Sequence, residues 1–250
     1  HLHHVHLQYG HLSLGDEVEL VLDSKRRHLI ERNHSATHLL HAAISEILGK
    51  HVEQKGSYVD ENYLRFDFTS MDKLSSEDLS KIETLVNEKI AESIPEETKI
   101  LPVEEAKNLG AEMEFSEKYG SVVRVVCFED FSKEFCGGTH VKNTSEIGLF
   151  VLESESSVSA GTRRIQARTS LGAYQYLRRK SQVLASVESE TLSKDDTVLE
   201  SIKKLEVRFN ELQAELNQLK DKMSFSAANE LQGQFEEVDG IHFLAWKGEG

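Results

Sequence analysis

The chain has 250 residues, 38% of them hydrophobic and 29% charged, which suffices for one large domain or two small ones and excludes broad disorder. Its formal net charge of −14, from 29 basic and 43 acidic residues, taken alone argues against a nucleic-acid partner, because phosphate binding draws on clustered lysine and arginine. Two cysteines are too few for a disulfide framework, and no apolar run approaches the ~18 residues of a membrane span; with no signal peptide at the start, the expected setting is a reducing cytoplasm without membrane contact.

Residues 1–32 alternate apolar and polar positions, with Leu2, Val5, Leu7, Leu12 and Leu14 followed by the strand-like Val18-Glu-Leu-Val-Leu22. They predict the end of a small β unit whose beginning is missing. Asn33 reads as the N-cap of a helix over 34–49, where Leu39, Leu40, Ala43, Ile44, Ile47 and Leu48 form one apolar stripe and Gly49 is the stop. Leu64, Phe66 and Phe68 alternate with Arg65 and Asp67 as in a half-buried strand. Ser75-Ser-Glu-Asp78 has the form of a capping box, opening a helix that ends before Pro95. Further strands are predicted over 99–103, 122–128, 148–153 and 164–168. The irregular mix gives an α+β fold, with a mixed sheet and packed helices.

After Ser170 a helical pattern takes over. From Val198 the apolar positions Ile202, Leu205, Phe209, Leu212, Leu216, Leu219 and Met223 follow at alternating spacings of four and three, a heptad seam. The seam predicts a coiled-coil-like arm that either self-associates, through Val198, Ile202, Leu205 and Phe209, or folds back as a hairpin. The predicted organisation is thus a truncated β unit over 1–32, a metal-binding domain over 33–170, a helical arm over 171–235 and the start of a further domain over 236–250.

The chemistry concentrates in two short motifs. His34 and His38 stand four apart, so their rings share a helix face and can hold one divalent ion. About a hundred residues on, Cys136-Gly-Gly-Thr-His140 repeats the spacing with a cysteine and a histidine, around two glycines that let the backbone turn tightly. One cysteine and three histidines complete a tetrahedral zinc set. Cys127, inside an apolar strand, reads as a buried core thiol, and His41 as a structural or supporting group.

At these residues the chain resembles the editing domain of alanyl-tRNA synthetase. The likeness rests on Asn33-His-Ser-Ala-Thr-His-Leu-Leu-His41, Gln54-Lys-Gly-Ser57, Leu64-Arg-Phe-Asp-Phe68, Cys136-Gly-Gly-Thr-His140 and Gly161-Thr-Arg-Arg-Ile165, which occur in the family's order over residues 1 to about 180. Free-standing AlaX-type deacylases and the editing domain of threonyl-tRNA synthetase share the metal motifs; the heptad arm favours the alanyl enzyme and resembles its C-terminal oligomerisation and tRNA-binding region.

The resemblance implies hydrolysis of the ester that joins serine or glycine to the 3′ CCA end of tRNA(Ala), next to its acceptor stem. It implies one zinc ion, with ATP and Mg2+ serving only an aminoacylation part outside this stretch. Cys136 and His38 would act in catalysis as part of the metal site. Gln54 matches a position lining the editing pocket, where its amide would bond a substrate hydroxyl or orient water. Thr37 would act indirectly from the same helix end, and Gly137 and Gly138 would bring backbone N–H groups to the ester.

The RNA partner is compatible with the charge. Residues 181–250 hold 7 basic and 14 acidic residues, half of the net excess. Arg163, Arg164, Arg168, Arg178, Arg179 and Lys180 meanwhile cluster after the metal motif. Arg163 and Arg164, adjacent on a predicted strand, point to opposite faces, so one is expected to meet phosphate and the other a carboxylate. A free-standing deacylase and a non-catalytic zinc and tRNA-docking fragment are the alternative readings.

Overall fold

The computed structural model describes residues 3–49, 51–113, 120–191, 197–232 and 236–243. Two compact units divide the chain, His1–Arg178 and Arg179–Gly250.

The first unit is built on one long helix, α1 (Ser24–Leu48). It begins nine residues before Asn33, where the Asp23 carboxylate accepts from the Arg26 N–H, and it ends at Gly49 as predicted. Asn33 is therefore not a cap. Its amide is buried mid-helix, donating from Nδ2 to Asp60 O at 2.8 Å and accepting from Thr169 Oγ1 at 2.7 Å, so it pins the helix to two distant segments. The expected strand over 18–22 is also corrected. Among the described residues, 3–23 join no sheet and lie exposed, because a strand needs a hydrogen-bonding neighbour and none is present.

Four antiparallel strands form the sheet beside α1: β1 (Gln54–Val59), β2 (Leu64–Thr69), β6 (Phe150–Ser159) and β7 (Thr162–Thr169), in the order β1-β2-β7-β6. A second antiparallel sheet holds β3 (Glu96–Pro102), β4 (Val122–Phe128) and β5 (Ser132–Phe135), in sequence order. The expected mixed sheet is thus two antiparallel ones. Helix α2 (Ser76–Ala91) opens with both bonds of the predicted capping box, Ser75 to Asp78 and back. A short helix, α3 (Val103–Asn108), and a 3-10 turn (Thr144–Ile147) complete the unit.

The core follows from these faces. Leu39, Leu40, Ala43 and Ile44 of α1 bury against Leu64, Phe66 and Phe68 of β2, Ile82 and Val86 of α2, Phe150 of β6 and Ile165 of β7. Each such side chain contributes roughly 1.5–3 kcal/mol on leaving water. Strand β4 is apolar on both faces for a reason: Val126 and Phe128 enter this core, whereas Val123, Val125 and Cys127 join a smaller one with Ala106 and Phe135. The thiol of Cys127 is buried there, as expected.

Helix α4 (Ser170–Thr191) leads into the second unit, which contains α5 (Val198–Gln232) and the hairpin β8 (Glu236–Val238) and β9 (Ile241–Phe243). The heptad positions do lie on one continuous helix. Those from Ile202 to Met223 are exposed, between 41% and 72%, so the structure shows the seam without a partner helix packed on it among the described residues. Of the further domain expected to start over 236–250, the described residues hold only the β8–β9 hairpin; 244–250 lie outside them. Among the described residues no helix is long and apolar enough to cross a membrane.

Candidate metal centre

The packing of α1 against β2 and β5 fixes the site. The middle of α1 presents His34 and His38 one turn apart, and β5 delivers the loop Cys136–His140 directly to them. The potential ligand atoms of His34, His38, Cys136 and His140 all lie within 4.8 Å of one another. Cys136 Sγ is 3.5 Å from His34 Nε2 and 3.3 Å from His140 Nε2. A tetrahedral zinc with ordinary Zn–S and Zn–N bonds has a ligand–ligand edge of about 3.6 Å, so these separations suit such an ion.

The outer nitrogens make the same point. His34 Nδ1 bonds Thr139 O at 3.1 Å, and His140 Nδ1 bonds Ser35 Oγ at 3.0 Å. His38 Nε2 lies 3.5 Å from a carboxylate oxygen of Glu134. Each ring therefore turns one nitrogen outward to a partner that fixes its orientation and tautomer. The other nitrogen faces the cluster, as in histidines that ligate metals. His38 Nδ1 is buried and has no hydrogen-bond partner in the protein. An orphaned buried imidazole nitrogen is costly unless an electrophile takes its lone pair. The donor set fits a borderline-soft divalent ion such as zinc.

Burial keeps the rings in the form a metal requires. Desolvation pushes all three pKa values down, with Arg124 adding to it at each ring and neighbouring imidazoles at His38 and His140. His140 is lowered to about 2. His38 and His140 are buried, whereas His34 and Cys136 are half-exposed, so the cluster opens on one side.

Gly138 is dictated by this packing: a Cβ there would stand 2.3 Å from His34 Cε1. Gly137, with nothing within 4 Å of the same position, is not. The Gly138 N–H points at Cys136 Sγ, 3.4 Å away, a bond that favours the thiolate. Thr37 is buried on α1, and its hydroxyl donates to Asn33 O at 2.9 Å. Gln54 opens β1 opposite Phe68, beside a bulge between Gln54 and Gly56.

Arg163 and Arg164 of β7, one expected to meet phosphate and the other a carboxylate, are both engaged with carboxylates. Arg163 pairs with Glu155, and Arg164 forms a two-bond fork to Asp67 with both contacts at 2.7 Å. Of the cluster's arginines, Arg178 and Arg179 are the exposed ones.

Sequence reasoning missed four supporting groups: Ser35, Thr139, Glu134 and Arg124. Ser35 also accepts from Val141 N at 3.1 Å, and Glu134 reaches His41 Nδ1 at 3.1 Å, which gives His41 its structural role. The signal available for one of them was an isolated charge in an apolar strand, Arg124 within Val122 to Phe128.

This fold and cluster go with a family match. Residues 123–166, which include β5, Cys136, His140 and all of β4 but Val122, match the Threonyl and Alanyl tRNA synthetase second additional domain. Nearly the whole chain is in addition similar to alanine–tRNA ligases. It is 44% identical over 235 residues to that of Alkaliphilus metalliredigens, 94% of this chain and 27% of the relative. It is 42% identical over 244 residues to that of Haemophilus influenzae, 98% of this chain and 28% of the relative. To that of Lactobacillus gasseri it is 43% identical over 235 residues, with 94% and 27% covered. The chain is thus similar over nearly its whole length to these alanine–tRNA ligases and spans little more than a quarter of theirs.

Two outcomes are expected. Gly138→Ala should lower bound metal per chain, measured by elemental analysis after desalting, while Gly137→Ala leaves it unchanged. In chelator, the histidines stay neutral in the folded protein below their ordinary value of 6.5, whereas the unfolded chain takes up protons there. Stability present above that value is therefore lost as pH falls through it, and the midpoint of chemical denaturation should drop on acidification. A midpoint that rises would contradict the buried neutral rings.

Proposed function

We propose that the chain is the editing part of an alanine–tRNA ligase, hydrolysing the ester of Ser-tRNA(Ala) and Gly-tRNA(Ala) at a zinc site made by His34, His38, Cys136 and His140. The observation that carries the proposal is the convergence of one thiol and three outward-anchored imidazoles at tetrahedral separations. The relatives' name and the matched domain support the tRNA partner and the ligase context. ATP and Mg2+ would belong to the aminoacylation step of such an enzyme, and a cytoplasmic location accords with both.

A bound zinc supplies positive charge that stabilises the oxyanion of ester hydrolysis or holds a polar substrate group. The chain's own residues do the rest. His34 and Cys136, on the open side, would face the incoming 3′ end, while His38 and His140 anchor the site from within. Gly137 and Gly138 offer backbone N–H groups along the loop, although that of Gly138 already donates to Cys136 Sγ. Gln54 would bond the serine hydroxyl or orient the attacking water, and Thr37 would help to hold this middle stretch of α1.

A site built to bond a hydroxyl rejects the methyl analogue strongly, because its polar groups would be left unpaired; that is how alanyl-tRNA would be spared. Phosphate attraction falls to exposed Arg178 and Arg179, while Arg163 and Arg164 shape the sheet through their carboxylate partners and contribute residual positive charge. The domain would occupy residues 33–170, with residues 171–235 as an arm whose exposed seam pairs with a second helix, in a homodimer or a hairpin.

The test is release of serine from Ser-tRNA(Ala) by the zinc-loaded chain. Cys136→Ala and His38→Ala should each slow it by about two orders of magnitude, the scale of losing an electrostatic stabiliser of the developing charge. Full activity in the metal-stripped double variant would refute the proposal. Tight tRNA binding with no hydrolysis would instead mark a structural zinc module.

A further inference from the structure

Strand β4 carries a single charged residue among apolar ones, Arg124. Its position in the alternation is that of Val126 and Phe128, yet its head group leaves the core and reaches the metal loop. Nη1 donates to the carbonyls of both Cys136 and Gly138, each at 2.8 Å. Nη2 donates to Thr98 Oγ1 at 3.0 Å, across the sheet on β3. The Arg124 carbonyl in turn accepts from the Cys136 N–H at 3.0 Å. Cys136 is therefore gripped on both sides by one residue, through its own N–H and its own carbonyl.

The loop needs such a grip. Gly137 and Gly138 lack the side chains that would restrict the backbone, and Gly137 is exposed with nothing within 4 Å of where a Cβ would stand. The two carbonyls held by Nη1 belong to the peptide planes that flank the one whose N–H points at Cys136 Sγ. Fixing both planes fixes the direction of that N–H and the place of the sulfur relative to the imidazoles on α1. Ordering this turn in the absence of metal also removes conformational entropy that binding would otherwise have to overcome.

We propose that Arg124 is the positioning residue of the metal loop, and that its guanidinium sets how tightly the cluster binds a divalent ion by holding the carbonyls of Cys136 and Gly138. This rests on the reading of the cluster as a metal site. The guanidinium lies near enough to the rings to oppose their protonation, which adds to the larger effect of burial. A planar fork that serves Thr98 and two carbonyls together is a task for arginine; lysine keeps the charge and loses the fork.

The test uses the full chain, with zinc affinity measured by competition against a chromophoric chelator. The sulfur-to-cobalt charge-transfer band of the Co2+-loaded protein serves as the second readout. Arg124→Met should bind zinc about 10–100-fold more weakly, the usual consequence of losing a group that orients a ligand. Its cobalt band should weaken or shift, and Arg124→Lys should fall between it and the parent. An affinity and band in Arg124→Met indistinguishable from the parent's would overturn the positioning role alone. If Arg124→Met does not fold by far-UV circular dichroism, Arg124→Lys decides, and unchanged affinity there overturns the proposal. A parent chain that binds no zinc overturns the metal reading itself, and this inference with it.

Discussion

Helix α1 must dock so that His34 and His38 meet a loop about a hundred residues away, and the rest of the unit serves that contact. Leu39, Leu40, Ala43 and Ile44 continue the same helix and anchor it in the core against Phe66 and Phe68. Asn33 ties it to Asp60 O and to Thr169. Opposite, β5 pairs with β4 in fixed register, Val125 against Phe135, and so delivers Cys136 at a set height. Hydrophobic burial supplies the strength of this docking, and hydrogen bonds such as those of Asn33 its direction.

The price of the site is desolvation. Three imidazoles sit together where proton uptake is opposed by burial, so they are held in the neutral form that a metal requires. Thr139 O, Ser35 Oγ and Glu134 hold the outer nitrogens and leave the inner ones pointing at one another. Of the ring nitrogens, only His38 Nδ1 is both buried and without a partner in the protein. Metal binding would satisfy it and offset the burial.

Much of this was legible in the sequence, for a physical reason. Helical spacing places His34 and His38 on one face wherever the helix begins, and the Cys136 and His140 spacing with two glycines describes a tight chelating turn. The capping box at Ser75 and strand β4 were equally readable, since both depend on neighbours in sequence. The helix start was not, because Asn33 spends its amide on long-range bonds and Asp23 caps instead. The apolar alternation of 3–23 lacks a pairing partner among the described residues, so its period did not become a strand. Alternation puts Arg163 and Arg164 on opposite faces but cannot show that each has a carboxylate on a neighbouring strand, Glu155 and Asp67. Ser35, Thr139, Glu134 and Arg124 acquire their meaning only when segments far apart in sequence converge.

The central claim is that one thiolate and three imidazoles share a single ion. X-ray absorption at the zinc edge on the zinc-loaded chain tests it most directly. The account predicts one sulfur at about 2.3 Å and three nitrogens at about 2.0–2.1 Å, with the sulfur shell lost in Cys136→Ser. A first shell of nitrogen and oxygen alone in the unsubstituted protein, or a sulfur that survives Cys136→Ser, would contradict it.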